Sequence, residues 1–329
     1  MGIKDLFKPE EQLICVDFNN PLRILYAGKK GSNILIKSIL EKQLPDEIFE
    51  EGQAINFESL SEVIKKSFNN LKIKKAKVLF AIPSQSVVVR FINFAYLPEE
   101  ELREAIRWEL DRFTPFPAED VYFDVQILDV VEREGNKEYV LLLVAVPLEV
   151  IQSYLQIFNN LKLDLQLADV SSFSAIRAII KSRKSIPEET TLFLNSRYKF
   201  IDFVVTKNKK PFFFRSLIAR EFFEEEGLDD LSKSFVLDNY LKEISQGLNL
   251  FYMQYPEERI ERVILLGDNV VYKDFVEMLD AMFGLPMEIS PLSLQDMGVQ
   301  IKNKKILDEI QNNLPKWVSA LGLLFWGEV

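Results

Sequence analysis

The feature that most constrains this fold is a pattern of elements that the chain runs through twice. The first copy opens with three strand-like runs, Leu13–Asp17, Leu22–Ala27 and Ile34–Leu40. Short turns containing Asn19, Asn20, Pro21, Lys29, Lys30 and Gly31 join them. A helix follows with Phe57, Leu60, Val63, Ile64 and Phe68 on one face, then the apolar strand Val78–Ile82, closed by Pro83. After an interruption come a helix marked by Val150, Ile151, Tyr154, Leu155 and Phe158, and a strand at Leu163–Val170. A further helix, capped by Ser171 or Ser172, carries Phe173, Ile176, Ile179 and Ile180. The second copy starts after Ser185-Ile186-Pro187, with strand-like runs at Leu192–Leu194, Phe200–Val205 and Pro211–Leu217. An acidic helical segment from Ala219 to Tyr255 leads to the apolar strand Arg262–Leu266. A helix at Val271–Phe283, a strand at Met287–Ile289 and a closing helix at Lys316–Phe325 complete it. The order repeats without evident identity, which predicts a duplicated α/β domain rather than a solenoid. Each copy should form a mixed sheet with helices on both faces.

The interruption in the first copy has its own logic. Val87–Phe94 reads as a strand, and Pro98 starts a helix whose first turn holds Glu99, Glu100 and Glu101 at the positive end of the helix dipole. Thr114-Pro115-Phe116-Pro117 stops that helix, and Val121–Val131 and Glu138–Val146 face each other across a hairpin turn at Glu134-Gly135-Asn136. Leu102, Ala105, Ile106, Leu110 and Phe113 make an apolar stripe along the helix. At about 100° per residue, Glu109 falls inside that stripe and Trp108 outside it. A buried carboxylate needs a partner, and an exposed tryptophan points to a ligand. The plainer alternative pairs Glu109 with a neighbouring arginine and packs Trp108 under a loop.

Composition closes off several functions. At 329 residues, two domains are expected. The net charge of −10, from 50 acidic against 40 basic residues, argues against a nucleic-acid binder, which needs basic surface. There is no histidine, so the commonest general base and transition-metal ligand are missing. Cys15, the one cysteine, lies in an apolar run and reads as a buried strand residue, which fits the reducing cytoplasm. The apolar runs Tyr139–Val146 and Trp317–Trp326 fall short of the ~20 residues a membrane-spanning helix needs. Ile3, Leu6 and Phe7 form only a small apolar face, whose expected fate is docking on the protein body.

A duplicated domain of this order, with a βαββ insertion after the fourth strand, resembles the actin-like (ribonuclease H-like) fold. The insertion is similar to that of the FtsA/PilM family, and the local sequence resembles its type IV pilus assembly branch. The residues that carry the likeness are Ile82-Pro83, Arg90, Leu97-Pro98, the run Glu101 to Glu109, and Pro115-Phe116. Weaker matches are Ala168-Asp169-Val170, Phe173, Ala175, Arg215 and Ala320 to Leu323. The resemblance implies four subdomains: 1–83 with 148–185 and 314–329; the insertion 84–147; 186–218 with 256–313; and a helical 219–255. It implies a scaffold at the inner membrane's cytoplasmic face. Such a scaffold would bind the cytoplasmic tail of a PilN-like membrane protein in a channel between the first subdomain and the insertion. Contacts with the pilus assembly ATPase and with further copies of the chain are compatible with it. Arg90, Phe91, Leu97, Trp108, Glu109, Phe113 and Phe116 are the expected walls of that channel, mixing aromatic anchors with charge-pairing groups. For Phe91 and Phe113, filling the core of the insertion is the competing explanation.

Actin-like proteins bind ATP and Mg²⁺ between their halves, through glycine-bearing hairpins and an aspartate. Here the first hairpin, Val16 to Leu22, keeps Asp17 but has no glycine, and the second, Leu194 to Phe200, has neither. The adenosine turn, Leu266-Gly267-Asp268-Asn269, has one glycine where the family has two. If nucleotide is bound, Asp17, Asn19, Asn20, Asn195, Gly267 and Asp268 are the candidates, with Arg197 and Lys199 supplying positive charge. The three losses favour a pseudo-ATPase. The alternatives are an ATPase or sugar kinase, with Asp169 as base, an FtsA-like filament former, and a GspL-like secretion component.

Overall fold

The computed structural model describes residues 10–50, 53–73, 75–182, 189–197, 200–218, 230–271 and 273–327. The expectations for Ile3, Leu6, Phe7, Lys199, the Ser185–Pro187 boundary and residues 219–229 fall outside these.

The first half begins with β1 (Glu11–Asp17), β2 (Leu22–Lys30) and β3 (Asn33–Lys42), an antiparallel meander. A two-residue hairpin, β4 (Phe49–Glu50) and β5 (Gln53–Ala54), leads into α1 (Phe57–Asn70). Asn56 caps α1, its side chain accepting from the Ser59 amide, so one of the orphan donors of the first turn is satisfied. β6 (Lys77–Ile82) then slots in parallel to β1.

The insertion follows as β7 (Val88–Ala95), α2 (Glu99–Glu109), β8 (Val121–Arg133) and β9 (Asn136–Pro147). It is an antiparallel sheet in the order β7-β9-β8. α2 covers one face, with Leu102, Ile106 and Leu110 packed on Phe94, Phe123, Leu141 and Leu143. α3 (Leu148–Asn160), β10 (Asp164–Val170) and α4 (Ser171–Ser182) return to the first half.

The second half repeats the plan: β11 (Thr191–Arg197), β12 (Phe200–Lys207), β13 (Lys210–Ile218), α5 (Asp230–Gln254), β14 (Arg262–Gly267), α6 (Lys273–Phe283) and β15 (Met287–Ile289). β16 (Val299–Ile301), α7 (Lys304–Asn312) and α8 (Leu314–Leu323) follow. The sheet orders expose the duplication. The second sheet runs β13-β12-β11-β14-β15, and the first runs β10-β6-β1-β2-β3-β16. Position by position, β3, β2, β1, β6 and β10 correspond to β13, β12, β11, β14 and β15.

Two expectations change. Residues 299–301 lie in the first sheet, paired parallel with β3, although the sequence assigned 256–313 to the second half. Three residues of polar-apolar strand cannot announce which edge they will extend. The 219–255 segment, in its described part, is also no separate unit. α5 lays Val236, Tyr240, Ile244 and Phe251 into the core beneath the second sheet, with Leu192, Phe203 and Leu265.

β11 is longer than the expected Leu192–Leu194, because all seven of its residues are buried. Asn195, Ser196 and Arg197 read as a loop from their polarity, yet they occupy the strand end. There they meet partners from the other half.

Candidate functional site

The seam between the halves is the first place to look for a site. The side chains that could face a phosphate group face one another. Asp17, fully buried at the end of β1, accepts from Asn19 Nδ2 at 2.6 Å and from Arg197 Nη1 at 2.7 Å. Arg197 Nε also donates to Asn195 Oδ1 at 3.0 Å, and its other terminal nitrogen donates to Ser319. Asn195 Nδ2 donates to Ser172 Oγ at 3.1 Å, and Asn19 Nδ2 reaches Ser171 Oγ at 3.0 Å. A second ion pair spans the halves beside the first: Arg23 of β2, the cross-strand partner of Asp17, meets Asp268 after β14, and Glu41 at 2.7 Å. Burial opposes the Arg23 charge, but Asp268 and Glu41 outweigh it and hold its pKa above the ordinary arginine value.

Asp202 of β12 is buried and accepts from Ser172 and, at 2.6 Å, from Ser216. Desolvation raises its pKa above the ordinary 3.8, against the lowering pull of these hydroxyls and of Arg197.

Gly267 is accounted for without a ligand. Its φ is +93°, and a Cβ there would lie 2.3 Å from the Ser196 carbonyl oxygen. Asn20 is turned away to Leu44, donating to its carbonyl at 3.0 Å and accepting from its amide at 2.8 Å. The nucleotide candidates are therefore brought together, except Asn20, but their donors and acceptors are matched internally. Each Asp17 oxygen accepts one hydrogen bond, from Asn19 and from Arg197, so the carboxylate is already paired with a cation of its own chain. In this arrangement a nucleotide's phosphates would compete with these internal bonds for Asn19, Asn195 and Arg197.

The second place lies under the insertion. A cavity of about 760 Å³ opens between β8 of the insertion and β10 of the first half. Leu142 and Val144 of β9, Phe173, Ile176 and Ile180 of α4, and Leu128 of β8 give it an apolar wall. The Asn208–Pro211 turn of the second half and Trp326 close its ends. β8 and β10 are each the outer strand of their sheet, so two strand edges line one cavity. Strand alternation points Leu128, with Tyr122, Asp124 and Gln126, away from the core formed by Phe123, Val125 and Ile127 and toward the wall that it shares with α4. Asp169 sits at the rim, accepting from Arg177 Nη1 at 2.5 Å and from the Val170 amide at 2.7 Å. An aspartate tied up in this way is a poor candidate for a kinase base.

The sequence-predicted wall residues do not line this cavity. Leu97, Phe113 and Phe116 pack into the insertion's core beside Leu102, Ile106 and Leu110. Phe91 packs into the apolar cluster that joins the insertion to α4 and the second sheet. Trp108 is 81% exposed on the outer face of α2, neither under a loop nor in a cavity. Glu109 is not buried: its side chain is 39% exposed and pairs with Arg112. The helical phase fails there because α2 ends at Glu109, whose ψ is 6°, and a 3₁₀ turn takes over at Leu110–Arg112. Arg90 lines a different, smaller cavity on the opposite edge of the insertion's sheet. This cavity was not foreseen because it depends on sheet order. Its one local signal was the apolar face of the helix bearing Phe173 and Ile176.

Comparison with known proteins bears on both places. A family model described as type IV pilus assembly protein PilM matches residues 16–215. Among solved structures, a PilM–PilN type IV pilus biogenesis complex is 21% identical, with a TM-score of 0.76 over 96% of this chain and 98% of that one. A Bacteroides thetaiotaomicron protein with an actin-like ATPase fold and unknown function is 13% identical, with a TM-score of 0.50 over 90% of this chain and 97% of that one. The duplicated halves are thus the actin-like fold, with its insertion in the first half.

Proposed function

The chain belongs to the family of the type IV pilus assembly protein PilM, and from that premise we propose that it is a scaffold that holds an extended tail of a PilN-like inner-membrane protein in the cavity between β8 and β10. The observation that carries this is the pair of strand edges lining one cavity with an apolar wall. An extended peptide laid between them gains main-chain hydrogen bonds from the ladders and seats alternate side chains on Leu128, Val144 and Phe173. Among the described residues no helix is long and apolar enough to cross a membrane. In this reading the chain reaches the cytoplasmic face of the membrane through its partner. The test is titration with a synthetic PilN-like tail. Leu128→Arg should weaken binding at least tenfold, and bound peptide should slow hydrogen exchange in β8 and β10. Undiminished binding to Leu128→Arg, or protection elsewhere only, would sink the proposal.

The same reading makes the seam between the halves a pseudo-nucleotide site. Arg197, the candidate partner for a phosphate, has Asp17 of this chain as its counter-ion. Calorimetric titration with ATP and Mg²⁺ should give no binding heat. Saturable binding followed by phosphate release would overturn this part and leave the peptide proposal standing.

A further inference from the structure

The insertion's sheet has a second outer strand, β7, and it too meets an edge strand of another sheet. β7 pairs only with β9, and β13 only with β12, among the described residues. Between them lies a cavity of about 520 Å³, distinct from the one under β8. Arg90 of β7 and Arg215 of β13 both line it, and among the described residues no acidic residue does. Among the described residues neither arginine has a carboxylate partner; Arg90 donates one hydrogen bond, at 3.0 Å, to the Val89 carbonyl. Desolvation and the nearby Arg215 both push the Arg90 pKa down, so the two cations stand close enough to repel. In a chain of net charge −10, a cavity whose described lining holds two cations and no anion is a local reversal of sign. Its rim is apolar: Ile55 and Ile218 are 53% and 55% exposed there.

We infer that this second cavity docks an extended, acidic segment of a protein partner. The segment's carboxylate lies between Arg90 and Arg215, and its backbone runs along β7 and β13. Charge complementarity selects the carboxylate, since a guanidinium presents several N–H donors to it and the pair repel each other until an anion arrives. The strand edges select an extended backbone. The exposed isoleucines select apolar residues beside the acid.

The probe is a fluorescein-labelled hexapeptide alternating leucine and glutamate, with a lysine-for-glutamate analogue as control, followed by anisotropy. The glutamate peptide should bind saturably, and more weakly as salt rises. Arg90→Gln and Arg215→Gln should each weaken it at least tenfold without lowering the melting temperature, because each removes a repulsion. A saturating unlabelled PilN-like tail should leave it bound. Equal binding of the lysine analogue, wild-type affinity in both arginine variants, displacement by the tail, or binding of citrate but not of peptide would each overturn the inference.

Discussion

The seam between the halves and the cavities beside the insertion are built from similar materials with opposite results. In the seam, Asp17, Asn19, Asn195, Arg197 and Ser319 find one another and pair their polar groups internally. Beside the insertion, two strand edges and an apolar wall in one cavity, and two arginines in the other, are left without such matching. The difference teaches where a family fold still has capacity to bind. An inherited cleft can be chemically rich and internally satisfied, while an added sheet creates edges that its own chain never pairs.

The largest effect that could break this contrast lies in the seam. Arg197→Ala leaves the Asp17 carboxylate buried without its cation, and should cost about 3–5 kcal/mol in urea unfolding. A loss below about 1 kcal/mol, the range of exposed ion pairs, would mean the halves are not joined as described. A smaller effect sharpens the same point. The raised pKa of Asp202 means that the folded state holds its proton more tightly than the unfolded state. Wild-type stability should therefore fall as pH climbs from about the ordinary 3.8 through the raised folded value. Asp202→Asn has no proton to lose, so the melting-temperature difference between wild type and variant should shrink, then reverse, over that window. A difference that does not change with pH would contradict it. The smallest effect concerns the exposed tryptophan. Trp108→Ala should change stability by no more than about 0.5 kcal/mol and leave tail binding unchanged, since it lines neither cavity.

Much of the frame was legible in the chain. Periodicity located the insertion, its hairpin and the strands of both halves except the short β4, β5 and β16; it missed α7, and the turn residues placed most boundaries within a few positions. What local pattern could not supply was neighbourhood. That β8 would face β10, and β7 face β13, follows from sheet order, which depends on contacts far apart in sequence. Glu109 misled because a constant helical phase was carried past the residue where the helix ends. Phe113 and Phe116 misled because aromatic anchors and core filling look alike in a single sequence. Asn195 to Arg197 looked like a loop because strands buried on both faces are usually apolar, and here cross-seam partners replace apolar packing.

The first sheet's inner layer has a temporal consequence. Its cluster joins Leu13, Cys15, Leu25 and Ile36 to Met297, Trp317, Leu321 and Phe325. α8 lies against α4 so closely that a Cβ on Gly322 would meet the Ser174 carbonyl oxygen at 1.7 Å. Strands made before residue 43 must therefore wait for a helix made after residue 313. Domains usually fold in the order in which the ribosome delivers them. Here the same helix also packs Val318 with Ile264 and Leu266 of β14, so one late helix completes the packing of both sheets.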